Sequence, residues 1–242
     1  MTTSQRTDHG TWRDLVAVVF AMLFPTVATW MYFVALAGDP GTRPVFLMSK
    51  IVQFSFPLLW VVGTRRHAPR FGRPRIAGIG QGLAFGALVL GAATALYFGL
   101  FKHGALLADA PAAIRLKVQD LGVATPGRYF AMAAFYVLIH SALEEYYWRW
   151  FVFGQLRRWL PTGAAIALSS LAFMSHHVIL VSIFFKPNWP LVAALSLGVG
   201  FGGAVWAWIY QRSGSLVGPW LSHLLIDAAL MLIGYDMVFT GV

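Results

Sequence analysis

Three short stretches hold residue types that can cleave a bond with water. They are EEYYWR, with Glu144, Glu145 and Arg149; FMSHH, with Phe173, His176 and His177; and HLLID, with His223 and Asp227. A carboxylate that accepts a proton and imidazoles that donate or relay one are the parts of general acid–base hydrolysis. Glu144 and Glu145 are the only glutamates among 242 residues, and they lie side by side in an apolar run. A charged side chain at mid-bilayer costs on the order of 2.5–3.5 kcal/mol on insertion scales, so such residues face a bundle interior or an aqueous cavity and mark function. With His140, eight ionisable residues gather in three apolar segments. One such residue alone reads as readily as a structural pair; eight together read as a site.

Helical spacing separates the two glutamates. Each residue turns the helix by roughly 100°. Glu145 and Arg149, four apart, share a face and can pair, whereas Glu144 points about 140° away from Arg149. His140, one turn earlier, shares the face of Glu144. Glu145 is thus expected to be held ionised by Arg149 and to lock the helix. Glu144 is expected to stand without a counter-charge in a low-dielectric pocket, as a better proton acceptor than a solvated carboxylate. Phe173 and His177 are four apart and stack on one face. His176 is rotated from His177 by roughly 100°, so the two are not expected to share one target, and one of them reads as structural. His223 and Asp227 are again four apart and project together.

The elements that must position these groups are membrane helices. The chain is 58% hydrophobic and 11% charged, against about 25% charged for a soluble domain. Several charge-free runs reach the ~20 residues that cross a bilayer as a helix. An all-α polytopic bundle of seven to eight membrane helices follows, forming one membrane-embedded domain over 1–242 with the three motifs in a core at 129–239. A β-barrel would show short alternating segments instead. The spans fall at roughly 15–37, 45–63, 76–101, 129–155, 163–185, 189–210 and 216–239. The longest connection, about 102–128, contains AAIRLKVQDLGV, which reads either as an interfacial helix or as part of an eighth segment. The first run, Leu15 to Gly38, exceeds the 7–15 residues of a signal-peptide core and reads as a retained span despite its Ala35-x-Ala37 pattern.

The net charge of +9 does not indicate nucleic acid, because Lys and Arg sit in short segments between apolar runs. With seven spans and the N-terminus in the cytoplasm, the cytoplasmic side receives Arg6, Arg13, Arg65, Arg66, Arg70, Arg73, Arg75, Arg157, Arg158 and Arg212, ten in all. The opposite side receives six: Arg43, Lys102, Arg115, Lys117, Arg128 and Lys186. The positive-inside rule therefore favours a cytoplasmic N-terminus. There is no cysteine, hence no disulfide, thiolate metal site or thiol nucleophile.

The three stretches together resemble the CPBP family of intramembrane glutamate endopeptidases. It includes the CAAX-processing Rce1-type proteases and bacterial bacteriocin-processing or self-immunity (Abi) proteins. The family pattern E-E-x-x-x-R, F-x-x-x-H and H-x-x-x-N/D is met, in order, by Glu144 to Arg149, Phe173 to His177 and His223 to Asp227. The resemblance implies that Glu144 with His177 activates a water that attacks a peptide carbonyl. It also implies that His223 and residue 227 stabilise the oxyanion, with Glu145 and Arg149 supporting. An ionised Asp227 cannot donate a hydrogen bond, so it is expected to orient His223 instead. The implied substrate is a membrane-associated protein or peptide in a bacterial cytoplasmic membrane, cleaved without a cofactor.

Three other readings stand beside this one. Glu144, His177 and His223 could bind zinc with an open position for water, although no H-E-x-x-H is present. A proton-coupled transporter also uses buried carboxylates and histidines, but no paired repeat is visible. A non-catalytic immunity role would make no use of these spacings. A rhomboid-type serine site is disfavoured, because Ser175–His176 and Ser222–His223 are sequence neighbours that do not face each other on a helix.

Overall fold

The computed structural model describes residues 11–39, 41–65 and 75–240. Arg6, Arg66, Arg70 and Arg73, which enter the charge count above, lie outside them. Among the described residues there is no strand. Six helices are long and apolar enough to cross a membrane. These are α1 (Trp12–Ala35), α2 (Thr42–Arg65), α3 (76–101), α6 (Thr162–Phe185), α7 (Trp189–Ser213) and α8 (Val217–Thr240). A seventh, α5 (126–156), is continuous across 31 residues. At 1.5 Å per residue it is about 46 Å long, enough to span, and it carries Glu144, Glu145 and Arg149. The chain is a multi-pass helical membrane protein.

The remaining helix, α4 (Ala110–Asp120), has 11 residues, about 16 Å. That is half the ~30 Å hydrocarbon thickness, so the eighth-segment alternative is set aside. Instead α4 closes one end of the bundle. Ala110 and Ile114 pack with Tyr97 and Met237, and Val118 packs with Tyr129 and Ala133. Arg115 Nε donates to the Met237 carbonyl at 3.2 Å.

Local sequence sets the helix ends. Thr11 and Asp14 form a capping box at the start of α1, satisfying two of the amides that a helix N-terminus leaves free. Pro126 opens α5 where no amide is needed. Gly214 ends α7 with φ +64°, a left-handed turn that glycine takes without strain.

Helix α8, which carries His223 and Asp227, is positioned by contact with α3. Gly78, Gly82 and Gly86 recur every four residues and so line one face. A Cβ on Gly82 would lie 2.0 Å from the Gly218 carbonyl oxygen, and one on Gly86 would lie 2.9 Å from Ser222 Cα. The two backbones touch, as small residues permit between membrane helices. Helix α1 is fixed to the site-bearing helices by polar contacts: Tyr147 donates to the Ala21 carbonyl at 2.7 Å, Arg158 pairs with Asp14 at 2.9 Å, and Thr26 meets Ser175 at 2.5 Å.

Gly82→Ala should therefore force α3 and α8 apart and lower stability by about 1–3 kcal/mol or more, the usual cost of overpacking. Gly80→Ala, where an added Cβ meets nothing within 4 Å, should be tolerated. Thermal unfolding of both purified variants in detergent checks the pair.

Candidate active site

Helix α5 presents the two glutamates between segments of wider turn. Residues Phe135–His140 and Tyr146–Phe153 adopt π geometry, and the glutamates sit in the α-helical turn Ser141–Glu145 between them. Such i→i+5 segments inside helices are frequent at functional sites. Glu144 is 3% exposed, and Glu145 and Arg149 are 0% exposed, so all three are carried inside the bundle.

Glu145 and Arg149 form the pair that their spacing predicts, with Arg149 Nε 3.1 Å from Glu145 Oε2. The guanidinium also lies over the rings of Phe173 at 4.9 Å and Trp206 at 5.2 Å, a cation–π arrangement that partly replaces lost hydration. Glu145 has a second partner that spacing on one helix cannot reveal. Its Oε1 is 2.9 Å from His223 Nδ1. The hydrogen bond that orients His223 thus comes from Glu145, while Asp227 approaches the other ring nitrogen, Nε2, at 3.6 Å.

Glu144 faces away from Arg149 and into a ring of imidazoles. Its Oε1 is 3.7 Å from His176 Nε2, and its Oε2 is 3.7 Å from His223 Nε2. His177 joins them: one ligand atom each from Glu144, His176 and His177 lie within 4.8 Å of one another. Both neighbouring histidines therefore converge on Glu144, contrary to the expectation from their 100° separation. Their rings are 4.1 Å apart, and two side chains 100° apart still meet at a target lying between their directions. His177 Nδ1 is 3.0 Å from the Phe173 carbonyl one turn back, which leaves its Nε2 for the site. His140 packs beside Tyr136 and Phe54 at 5.1 and 5.9 Å.

Phe173 holds these groups in register. Its ring contacts Trp148, His176, His177, Trp206 and His223 at centroid distances of 4.5–6.2 Å. His176 is stacked on Trp148 and His223 on Trp206, with interplanar angles of 6° and 16°. The Trp206 indole N–H is bound by Ser222 Oγ at 2.9 Å, which anchors that stack to α8. Gly203 on α7 makes room for Phe173, since a Cβ there would be 3.1 Å from the ring.

Two further polar groups, Lys50 and Gln53, lie on α2 within one turn of Phe54, whose ring packs against His140 and Tyr147 at 5.9 and 6.2 Å. Lys50 Nζ donates to Gln53 Oε1 at 3.0 Å, and Gln53 is buried. The inventory of intramembrane charges passed over Lys50 because a lysine about two turns from a helix end ordinarily reaches back to the membrane surface. The available signal was that it is the only lysine within the first three spans.

Removing Arg149 breaks a fully buried ion pair and leaves His223 to hold Glu145 alone, and breaking such a pair costs about 3–5 kcal/mol. Arg149→Met should sharply reduce folded yield, and Glu145→Gln in the same chain should recover part of it. A double-mutant cycle on thermal stability in detergent measures that coupling.

A family model described as Rce1-like, type II CAAX prenyl endopeptidase, matches residues 126–229. No curated protein and no solved structure matched the chain. The matched segment runs from the start of α5 past Asp227 and holds all three motifs. The resemblance drawn from those motifs is thus borne out over the segment that builds the site: in residues 126–229 this multi-pass membrane protein is similar to the Rce1-like protease family.

Proposed function

We propose that the chain is an intramembrane endopeptidase that hydrolyses a peptide bond of a membrane-associated protein or peptide, with Glu144 as general base. One observation carries this reading. Each Glu144 oxygen has an imidazole nitrogen 3.7 Å away, and the His223 ring is held from behind by Glu145 at 2.9 Å. At 3.7 Å these pairs are too long for direct hydrogen bonds and close enough for one water to touch both partners. Glu144 takes a proton from that water as its oxygen attacks the carbonyl carbon. His176 and His177 hold the water on the α6 side. His223, with a proton on each ring nitrogen, donates Nδ1–H to Glu145 and turns Nε2–H toward the developing oxyanion. Fixed donors aimed at such a charge in a dry site are usually the largest catalytic contribution. Collapse of the tetrahedral intermediate breaks the C–N bond, and the leaving amine takes the proton from Glu144. Asp227, 3.6 Å from His223 Nε2, then favours the charged imidazolium rather than donating to the oxyanion. The cell membrane is the proposed location, with the N-terminus on the cytoplasmic side.

A second reading uses a metal ion. The close approach of Glu144, His176 and His177 supplies a carboxylate and two imidazoles, a ligand set that suits zinc with one open position. The ligands drawn from sequence were Glu144, His177 and His223; the trio that comes together replaces His223 with His176. Zinc in this place would supply a polarised water, and His223 would keep its donor role.

Glu144→Gln should lower kcat/KM by about 10²–10⁴, the usual contribution of a positioned base, with membrane insertion and yield unchanged. His177→Ala should abolish cleavage in the same way. The readouts are cleavage of an S-farnesylated peptide and comparison of membrane-protein fragments from cells carrying either form. Chelator treatment of the purified protein separates the two readings: activity that is lost and then restored by zinc selects the metal. Uptake of a solute into proteoliposomes that survives Glu144→Gln and His177→Ala would instead favour a carrier.

A further inference from the structure

Helix α2 brings a cation and an amide to the site, and the mechanism above uses neither. Lys50 lies inside a helix long and apolar enough to cross the membrane. It does not behave as a lysine reaching back to the surface. Its ammonium gives one proton to Gln53 Oε1 at 3.0 Å, and Gln53 is 1% exposed. The ammonium also lies over the Phe46 ring, 5.2 Å from its centroid, and Phe46 stacks on Tyr32 at 4.2 Å. One turn beyond Lys50, Phe54 packs against His140 and Tyr147 at 5.9 and 6.2 Å. This face of α2 therefore looks onto the glutamate turn of α5.

The donor count is uneven. An ammonium has three protons and the Lys50–Gln53 bond uses one. Because Gln53 Oε1 accepts that proton, the amide presents its N–H₂ group as donor, and this buried Nε2 has no hydrogen-bond partner in the protein. Two donors from Lys50 and two from Gln53 are thus held together on a membrane helix. Burying unmet donors is costly, and a cation beside amide protons is the chemistry that binds a carboxylate.

We infer that Lys50 and Gln53 form a carboxylate-binding subsite that receives an acidic end of the peptide while its scissile carbonyl sits beside Glu144. The inference rests on the endopeptidase reading and adds to it the feature of the substrate that sets where the cut falls. An extended chain gains about 3.3–3.6 Å per residue, so a terminal carboxylate two or three residues past the scissile bond lies about 7–11 Å from it. Anchoring that carboxylate at α2 keeps it away from Glu144, which would repel it, and counts the cut from the chain end. The same donors accept a side-chain carboxylate near the end of the peptide.

The probes are three S-farnesyl-cysteine peptides with three apolar residues after the cysteine: one a free acid, one the C-terminal amide, and one an amide ending in glutamate. Binding to the purified full chain in detergent and cleavage are measured separately. The free acid and the glutamate amide should bind at least about 10-fold more tightly than the apolar amide, as a charge-assisted pair worth 1.5–3 kcal/mol allows. Cleavage should show the difference in KM more than in kcat. A free acid alone binding tightly supports the subsite with the chain terminus as its source. Lys50→Met should erase the preference, and Lys50→Arg should retain most of it. Should Lys50→Met fail to fold, the wild-type comparison and Gln53→Leu decide. Equal binding of acid and apolar amide by the wild type, or a preference that survives Lys50→Met, overturns the subsite. Preferential binding of the acid with no cleavage of any probe overturns the endopeptidase reading and leaves the subsite standing.

Discussion

A single buried carboxylate, Glu145, ties the site together, because two elements from different parts of the chain depend on it at once. One oxygen faces Arg149 on its own helix and the other holds His223 on α8. Buried ion pairs carry desolvation penalties that attraction alone does not repay, so a pair retained in a membrane interior needs some other use. Here that use is orientation. With Nδ1 held by Glu145, the His223 ring has one way to face, and its Nε2 is aimed at Glu144 and Asp227. The aromatic stacks finish the constraint by closing the ring faces that the hydrogen bond leaves open.

The adjacent glutamates consequently differ in every physical respect except type. One residue of helical rotation places Glu145 between an arginine and an imidazole, and places Glu144 among imidazoles. Adjacency in sequence is what makes this economical. A structural carboxylate and a reactive one are carried on one rigid turn, so fixing the first also fixes the second.

Much of this was legible in the residues themselves. Long apolar runs delimit the spans because backbone groups in lipid have to be satisfied within the helix, and i, i+4 spacing correctly pairs Glu145 with Arg149. What could not be read was every relationship between helices. The bond from Glu145 to His223 joins residues 78 apart, and the convergence of His176 with His177 depends on where α5 lies relative to α6. Uniform 100° steps also pass over the π turns on either side of the glutamates, which depart from 3.6 residues per turn. Lys50 was missed for a related reason: its significance lies in what α2 faces, and nothing along α2 reports that. The short helix at 110–120 was ambiguous because its mixed pattern suits both an interface and a crossing, and only its length decides.

The glycine seam between α3 and α8 bears on how this architecture can vary. The partner backbone of α8 lies in the stretch shared with the Rce1-like family, whereas Gly78, Gly82 and Gly86 lie upstream of it. A graft of the motif-bearing half onto unrelated leading helices would have to reproduce that three-glycine stripe, or α8 would lose the neighbour that sets its depth and tilt. The half with the chemistry is therefore not a portable cassette, and substitutions at these glycines and at Gly218 are constrained jointly rather than one by one.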